Sequence, residues 1–435
     1  MSFVYGLSAI GGVVLILLYI SKFRWEIKLV DSVLVLGAIA LIVRVLACFV
    51  ADGFPYAIDT YKHWADMLYA GGVESFYPTN AYTDFQPGYM YVLYILGHLK
   101  NFFRISDGFA HTMLIKMPAI LADCVICMFI YMAARRKSKK QTAWLIGLFW
   151  ALNPASIFIS SVWGQNDSVY LLFLLLAVYR LATKNYSSSY VLYAISVLLR
   201  PQLVIFLPLF IYSFFEYLQA LETVSFKTVM SFFDKLFPAV LVILCVILPF
   251  SVGFNLEPIF RQFAQAFSSD SYITVNAANL YGLMGLNLTE RSLNILGIVS
   301  LNFLSGAAIG VTMFVSFIVL HKNKRDDRYF FAGAFISVMV FMLGSGMNER
   351  GLLPATALLL ASLAVRFKDE YLFMYCAFCL SVFTNCAAVL SAYTGYAEAA
   401  AFELPLGIIA VMNIGLSVFL LVKAYGNNKY EKQWG

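Results

Sequence analysis

Residues 112–133 read TMLIKMPAILADCVICMFIYMA and are followed almost at once by the basic run RRKSKK at residues 135–140. An apolar stretch of about 20 residues matches the hydrocarbon core of a bilayer, which is about 30 Å thick. Lys and Arg collect on the cytoplasmic side of membrane helices. This segment therefore predicts a membrane-spanning helix and also gives its direction.

Apolar stretches of this kind recur along the 435 residues, of which 61% are hydrophobic and 12% charged. A soluble chain carries about 25% charged residues, so the composition predicts an all-α polytopic membrane protein that forms one domain over residues 1–435. Placing every basic cluster inside predicts about 13 spans with an outer N-terminus and an inner C-terminus. The predicted spans are 4–20, 30–51, 112–133, 142–159, 167–183, a pair within 189–218, 236–252, 295–320, 329–346, 352–365, 371–392 and 404–422.

Two apolar segments need a separate interpretation. Tyr89–Leu99 is short and ends near Lys100, which favours an interfacial or re-entrant helix. Ser189–Tyr217 is interrupted by Arg200-Pro201-Gln202, and this interruption predicts a hairpin of two short spans. The long loops, 52–110, 253–294 and 393–403, then all fall outside, so we expect any chemistry at the outer leaflet.

The first outer loop contains two carboxylates close to aromatic side chains. Asp59 precedes Tyr61 and Trp64, and Asp84 precedes an aromatic residue and a proline. A carboxylate half-desolvated at the interface can act as a general base. The alternative is an interfacial loop whose acids are solvated and whose aromatic rings anchor it among the headgroups.

Further polar residues lie at the ends of apolar spans, where they are costly and are therefore candidates for function. An arginine at position 350 could clamp a phosphate, or it could pair with its neighbour Glu349. Asn166 or Asp167 could cap a helix, and Lys116 could pair with Asp123. The full set is Lys116, Trp163, Gln165, Asn166, Asp167, Arg200, Gln202, Asn276, Asn279, Tyr281, Arg291, Asn348, Glu349 and Arg350.

Several classes of site are not indicated. The chain has no P-loop, HExxH, GxSxG or dinucleotide fingerprint. The four histidines do not cluster, so no metal site is predicted, although a divalent ion in the first outer loop stays open. The seven cysteines lie in apolar runs, which favours packing over metal binding. Because the basic residues lie in short clusters between spans, they give orientation and do not indicate a nucleic-acid partner.

Taken in order, the motifs between about residues 50 and 355 resemble the GT-C superfamily of membrane glycosyltransferases. The branch they resemble is bacterial and related to the GPI mannosyltransferase II family. Two motifs depart from its pattern: Asn348 stands where the family has His, and Tyr281 where it has Trp. The motifs are DTYKHW at 59–64, DFQPGY at 84–89, WGQNDS at 163–168, RPQ at 200–202, NAANLY at 276–281 and MNER at 347–350.

The resemblance implies a GT-C-like fold with a catalytic module over about residues 30–295 and C-terminal helices over 295–422. It implies transfer of a hexose (mannose, glucose or galactose) from a polyprenyl-phosphate donor to a glycan, lipid or protein acceptor, with inversion and without a required cofactor. Asp59 would be the general base and Asp84 would orient the acceptor.

By the same resemblance, the donor phosphate would be held by Arg350, Arg200, Arg291, Lys116 and Asn348. The other polar and aromatic residues named above would bind substrate. The membrane would be a bacterial plasma membrane, with the active site on its extracytoplasmic side. The alternatives are a transporter or flippase for lipids or lipid-linked sugars, and a ligase or polymerase of lipid-linked glycans.

Overall fold

The computed structural model describes residues 33–79, 86–221, 225–251, 253, 255–268, 271–295, 299–393 and 403–425. Helices dominate these residues, as expected where a bilayer requires backbone groups to be paired within a segment. The first half contains α1 (Val33–Ala47), α2 (Pro55–Gly71), α3 (Phe76–Thr79), α4 (Pro87–Phe102), α5 (Phe109–Arg135), α6 (Lys140–Ala151), α7 (Pro154–Ile157) with a π-helical turn over Phe158–Trp163, α8 (Asp167–Ala182), α9 (Tyr186–Leu199), a 3₁₀ segment over Pro201–Phe206 and α10 (Leu207–Gln219).

The second half adds four helices of more than 20 residues and short strands in the loops. Its elements are α11 (Phe226–Ile247) with a 3₁₀ turn over Leu248–Phe250, α12 (Glu257–Ser268), β1 (Thr274–Val275), α13 (Leu280–Leu283), β2 (Asn294–Ile295), β3 (Val299–Ser300), α14 (Leu301–Lys322), α15 (Arg328–Leu343), β4 (Met347–Asn348), α16 (Leu353–Val365), α17 (Asp369–Tyr393) and α18 (Glu403–Tyr425).

Seven helices of the described part are long and apolar enough to cross a membrane, and the chain is a multi-pass membrane protein. They are Phe109–Arg135, Lys140–Trp163, Pro201–Gln219, Phe226–Phe250, Leu301–Lys322, Asp369–Tyr393 and Pro405–Tyr425. The all-α polytopic prediction is thus confirmed, whereas the predicted total of about 13 spans is not. The predicted span 4–20 lies outside the described residues.

The two segments that needed a separate interpretation are both helical. Helix α4 begins with Pro87 in its first turn, where proline costs no hydrogen bond, and it is not among the seven candidate spans. Gly97 lets α4 cross α2 closely, because a Cβ at this position would lie 2.3 Å from the carbonyl oxygen of Ala65. At the other segment α9 ends at Leu199 and Pro201 opens the 3₁₀ segment, so the predicted break is present.

A buried ion pair joins α1 and α5. The Arg44 Nε lies 3.0 Å from Asp123 Oδ2, and both side chains are fully buried. Arg44 also donates to the Ala151 carbonyl at 2.9 Å and to Ser156 Oγ at 2.5 Å. Lys116 donates to the Ala51 carbonyl at 2.9 Å. The alternative pairing of Lys116 with Asp123 is therefore wrong, because Arg44 occupies that carboxylate.

A parallel strand pair brings two distant loops together. Strand β1 pairs with β4 so that Thr274 faces Met347 and Val275 faces Asn348. Asn276, directly after β1, has a φ of 56°, and its backbone N–H donates to Asn287 Oδ1 at 2.7 Å. This pairing holds the segment around β1 against the segment between α15 and α16.

Candidate functional site

Two arginines lie close to one carboxylate at the start of α8. The Asp167 side chain is 2% exposed. Its Oδ2 accepts from Arg350 Nη1 at 3.2 Å, and its Oδ1 lies 3.5 Å from Arg200 Nη1. Tyr170, one turn further along α8, donates to Oδ1 at 2.5 Å. Three separate segments of the chain therefore meet at Asp167.

Aromatic rings and a second acid complete the surroundings of the arginines. The Arg350 guanidinium lies 5.7 Å from the centre of the Trp163 ring, and that of Arg200 lies 5.1 Å from the Tyr170 ring. Arg350 Nε is 3.1 Å from Glu349 Oε1, although this N–H makes no aligned hydrogen bond. Two arginines and two carboxylates thus form a cluster of zero formal charge, and the Arg200 side chain is its most accessible basic group at 29% exposed.

Local backbone structure explains why these residues meet. The π-helical turn ends at Trp163, and Gly164 reverses the chain with a φ of 82°, which places Asp167 in the first turn of α8. A carboxylate is favoured there by the helix dipole. Arg200 lies in extended backbone just before Pro201, and Arg350 follows strand β4.

The cluster lies between two cavities. The first has a volume of about 310 Å³ and polar and aromatic walls. The second has a volume of about 320 Å³ and contains Leu203, Phe206, Ile309 and Phe341, so its walls are more apolar. The two cavities share Tyr170, Arg200, Gln202, Ala266, Asn348 and Arg350. A ligand with a polar head and an apolar tail would fit this arrangement, with the arginines at the junction.

Most of the predicted site residues line these cavities. Tyr61 donates to Gln165 Oε1 at 3.3 Å, which ties the first outer loop to the turn before α8. Those that line the first cavity are Tyr61, Trp64, Trp163, Gln165, Asn166, Arg200, Gln202, Asn276, Asn348, Glu349 and Arg350, and the second adds Asp167 and Arg291.

Other predicted residues have structural roles away from the cavities. Lys116 holds the Ala51 carbonyl. Asn279 caps α13 and donates to the Phe341 carbonyl at 3.2 Å, and Tyr281 donates to the Leu343 carbonyl at 3.0 Å. Asp59 is exposed on α2 and lines neither cavity, so its placement does not suit a general base for a ligand bound there. Asp84 lies outside the described residues.

Burial shifts the pKa of Glu349, the second acid of the cluster. Burial raises the pKa of the Glu349 carboxyl, and the neighbouring Arg350 opposes this rise. Protonation of Glu349 would leave the cluster with a net positive charge. No group of three or more His, Cys, Asp or Glu side chains suited to a metal ion occurs among the residues that the structure describes.

Two contributors to the site were not predicted from the sequence. Tyr170 bonds Asp167 and faces Arg200, yet in the sequence it stands inside the apolar run VYLLFLLL with no local signal. Ala266 and Phe267 of α12 reach the cavities from the second outer loop. A signal did exist there, since EPIFRQFAQAF repeats apolar residues at helical spacing.

The chain matches the family model of the GPI transamidase subunit PIG-U over residues 65–279, which is just under half of its length. A search of curated proteins gave no match. The matched range contains the motifs at 84–89, 163–168 and 200–202, which had carried much of the glycosyltransferase resemblance.

This match corrects the function predicted from the sequence. Membership of the GT-C glycosyltransferases, hexose transfer from a polyprenyl phosphate and the assignment as a glycosyltransferase enzyme are wrong, because the matching family is a transamidase subunit. The match supports neither the transporter or flippase nor the glycan ligase or polymerase. The motifs had indicated residues suited to hold a phosphorylated headgroup, and such residues do not specify a reaction.

Proposed function

We propose that this chain is a membrane subunit of an assembly related to GPI transamidase, and that it binds the phosphorylated headgroup of a glycolipid in its paired cavities. The match to the GPI transamidase subunit PIG-U supports the assembly. The arrangement of Arg200 and Arg350 around Asp167, at the junction of a polar and an apolar cavity, supports the ligand.

The chemistry of the junction suits a phosphodiester. Guanidinium groups bind phosphate oxygens through paired N–H donors, and such charge-assisted bonds are stronger than neutral ones. Arg200 is the more accessible arginine, and Arg350 keeps an Nε–H without an aligned acceptor. The rings of Tyr61, Trp64 and Trp163 provide flat surfaces for a sugar beside the phosphate.

The cavities face the extracytoplasmic side in this proposal. Asp167 begins α8, whereas Arg180 and Lys184 lie at its other end. The positive-inside rule assigns that basic end to the cytoplasm. We also infer that five shorter helices, α1, α8, α9, α15 and α16, cross the bilayer together with the seven candidate spans. The bacterial plasma membrane stays a prediction.

The test is lipid binding by the purified full chain in nanodiscs. We expect a phosphatidylinositol-based glycolipid to bind, and a diacylglycerol glycolipid without phosphate to bind at least tenfold more weakly, because a hydrogen bond to a charged group contributes about 1.5–3 kcal/mol. The double variant Asp167→Asn/Arg350→Gln removes one charge of each sign and should lower the affinity for the phosphorylated lipid by a similar factor.

The matched control is Arg261→Gln, because Arg261 lies on the outer side of α12 and is 66% exposed, with Glu257 as its ion-pair partner. It should leave the affinity unchanged. Equal binding of both lipids to the wild-type chain would overturn the headgroup assignment. So would a folded double variant with wild-type affinity.

A further inference from the structure

Helix α12 connects the two cavities with the surface of the molecule. It lies on the 3₁₀ segment Pro201–Phe206, and Ala266 lines both cavities while Phe267 lines the second. Its inner face contains Ile259, Gln262 and Ala266, which are all buried. The inner face of α12 therefore forms part of the wall of the candidate site.

Three side chains from other segments hold α12 by its carbonyl groups. Gln86 donates to the Gln262 carbonyl at 3.1 Å, and Gln202 donates to the Ala266 carbonyl at 2.9 Å. Arg291 donates to the Phe267 carbonyl at 3.2 Å. The last two carbonyls belong to the final turn of the helix, where no partner exists within the helix itself. The inner side of α12 is thus bound by polar contacts.

The outer side of α12 has the opposite character. Phe260 is 62% exposed and Phe267 is 50% exposed. They stand seven residues apart and so lie on the same side of the helix. Phe263, which packs against the core, lies between this side and the buried face, whereas the exposed ion pair of Arg261 with Glu257 lies on the other side of Phe260. Exposed phenylalanines are the reverse of the pattern expected for a helix that faces water, so the side with Phe260 and Phe267 needs an apolar cover.

The bilayer is the cover that the neighbouring elements provide. Helix α11 ends shortly before α12, and only 11% of its most apolar stretch is buried within the protein, so α11 faces lipid. At the C-terminal end of α12, Arg291 links this helix to the start of α14, because the Arg291 carbonyl accepts from the backbone N–H of Asn302. The next residue, Phe303, is 68% exposed. The exposed side of α12 therefore continues a lipid-facing surface. With 12 residues α12 is about 18 Å long and too short to span.

We infer that α12 is an interfacial anchor: Phe260 and Phe267 insert into the outer leaflet, while the opposite face is held over the cavities by Gln86, Gln202 and Arg291. The lipid surface is thus a binding partner of the second outer loop. The inference rests on the exposed side of α12 and its neighbours, and it stands whether or not the cavities bind a glycolipid.

The test measures depth in the bilayer without any added ligand. An environment-sensitive fluorescent amino acid is incorporated by codon suppression at position 260, at position 267 or, as the control, at position 261, in full chains reconstituted in vesicles. We expect brominated lipids to quench positions 260 and 267 at least threefold more than position 261. Aqueous iodide should quench position 261 most.

A second measurement tests the anchor when a bulky fluorophore disturbs the helix. The double variant Phe260→Ser/Phe267→Ser should raise amide hydrogen exchange across α12 at least tenfold in vesicles. Exchange across α11 should stay unchanged and serves as the internal control. Iodide access at positions 260 and 267 equal to that at 261, or unchanged exchange in the double variant, would overturn the inference.

Discussion

At the scale of single residues, the ion pair between Arg350 and Asp167 predicts a strongly non-additive pair of substitutions. Arg350→Gln alone leaves a buried carboxylate with a weaker partner, Arg200 at 3.5 Å, and breaking a buried pair from one side costs about 3–5 kcal/mol. Asp167→Asn/Arg350→Gln should cost clearly less. The coupling is measured from the free energies of unfolding by denaturant, in one detergent, of the wild type, the two single variants and the double variant. Additive losses of stability would show that the pair is not coupled.

Glu349 predicts how binding depends on pH. Because burial raises the pKa of this carboxyl above its ordinary value of 4.5, the folded protein takes up its proton at a higher pH than the unfolded chain does. As the pH falls through the raised value, the cluster becomes net positive and should bind a phosphodiester lipid more tightly. In Glu349→Gln the affinity should stay nearly constant over the pH range in which the wild-type affinity rises. An equal rise in the variant would place the titrating group elsewhere.

Single residues also show how far sequence reasoning reached. Arg200, Arg350 and Asp167 could be predicted because charges at the ends of apolar spans are costly and need partners. Their convergence on one carboxylate depends on contacts between segments that are far apart in the sequence, and these contacts have no local signal. Asp59 has the same local pattern as a site residue, yet its side of α2 faces away from the cavities.

At the scale of elements, the crossing of α2 and α4 depends on Gly97. Gly97→Ala would place a methyl group 2.3 Å from the Ala65 carbonyl oxygen, so the helices must separate, at a cost of about 1–3 kcal/mol. Gly310→Ala is the matched control, because a Cβ there meets nothing within 4 Å, and alanine favours a helix by about 0.8–1.0 kcal/mol. Melting temperatures in one detergent should fall for Gly97→Ala and not for Gly310→Ala. A melting temperature of Gly97→Ala equal to that of the wild type would mean that α2 and α4 can separate without cost.

Ion pairs centred on Lys100, which we call the clamp, join α4 to α2 and should weaken in acid. Lys100 Nζ lies 2.8 Å from Asp66 and 3.0 Å from Asp107, and His111 Nδ1 lies 3.1 Å from Asp107. Hydrogen bonds from Lys100 and then His111 lower the pKa of Asp107 below its ordinary value of 3.8. The clamp therefore contributes its full stability above pH 3.8 and loses it as the pH falls through the lowered value.

Amide hydrogen exchange of residues 100–110, corrected for the intrinsic rates, measures this release. In the wild type it should rise as the pH falls below 3.8, whereas Asp107→Asn should show the faster exchange at every pH. Asp59→Asn, which removes an exposed acid from α2, should behave as the wild type. A flat wild-type profile would show that the clamp does not hold these helices.

Element positions were the most predictable feature, since apolar length decides them. Each predicted span in the described part overlaps a helix, although α11 begins at Phe226 where the span was predicted from 236, and Pro201 marks the break of the hairpin. Helix α12 was not predicted, although its apolar residues recur at helical spacing, because its 12 residues are too few to span a bilayer and apolar length had decided the predicted elements. The function predicted from the sequence was wrong because motifs that can hold a phosphate do not specify a reaction at that phosphate.

At the scale of the whole molecule, the position of the cavities relative to the basic clusters predicts access from opposite sides of the membrane. Asp167 and Lys184 lie at the two ends of α8, which is about 24 Å long. Tyr56, at the wall of the first cavity, is 68% exposed, and Lys184 is 64% exposed. In a Cys245→Ser background, an impermeant maleimide added to sealed right-side-out vesicles should label Tyr56→Cys at once and Lys184→Cys only after permeabilisation. The reverse order would place the cavities on the cytoplasmic side and would remove the outer-leaflet lipid as the ligand.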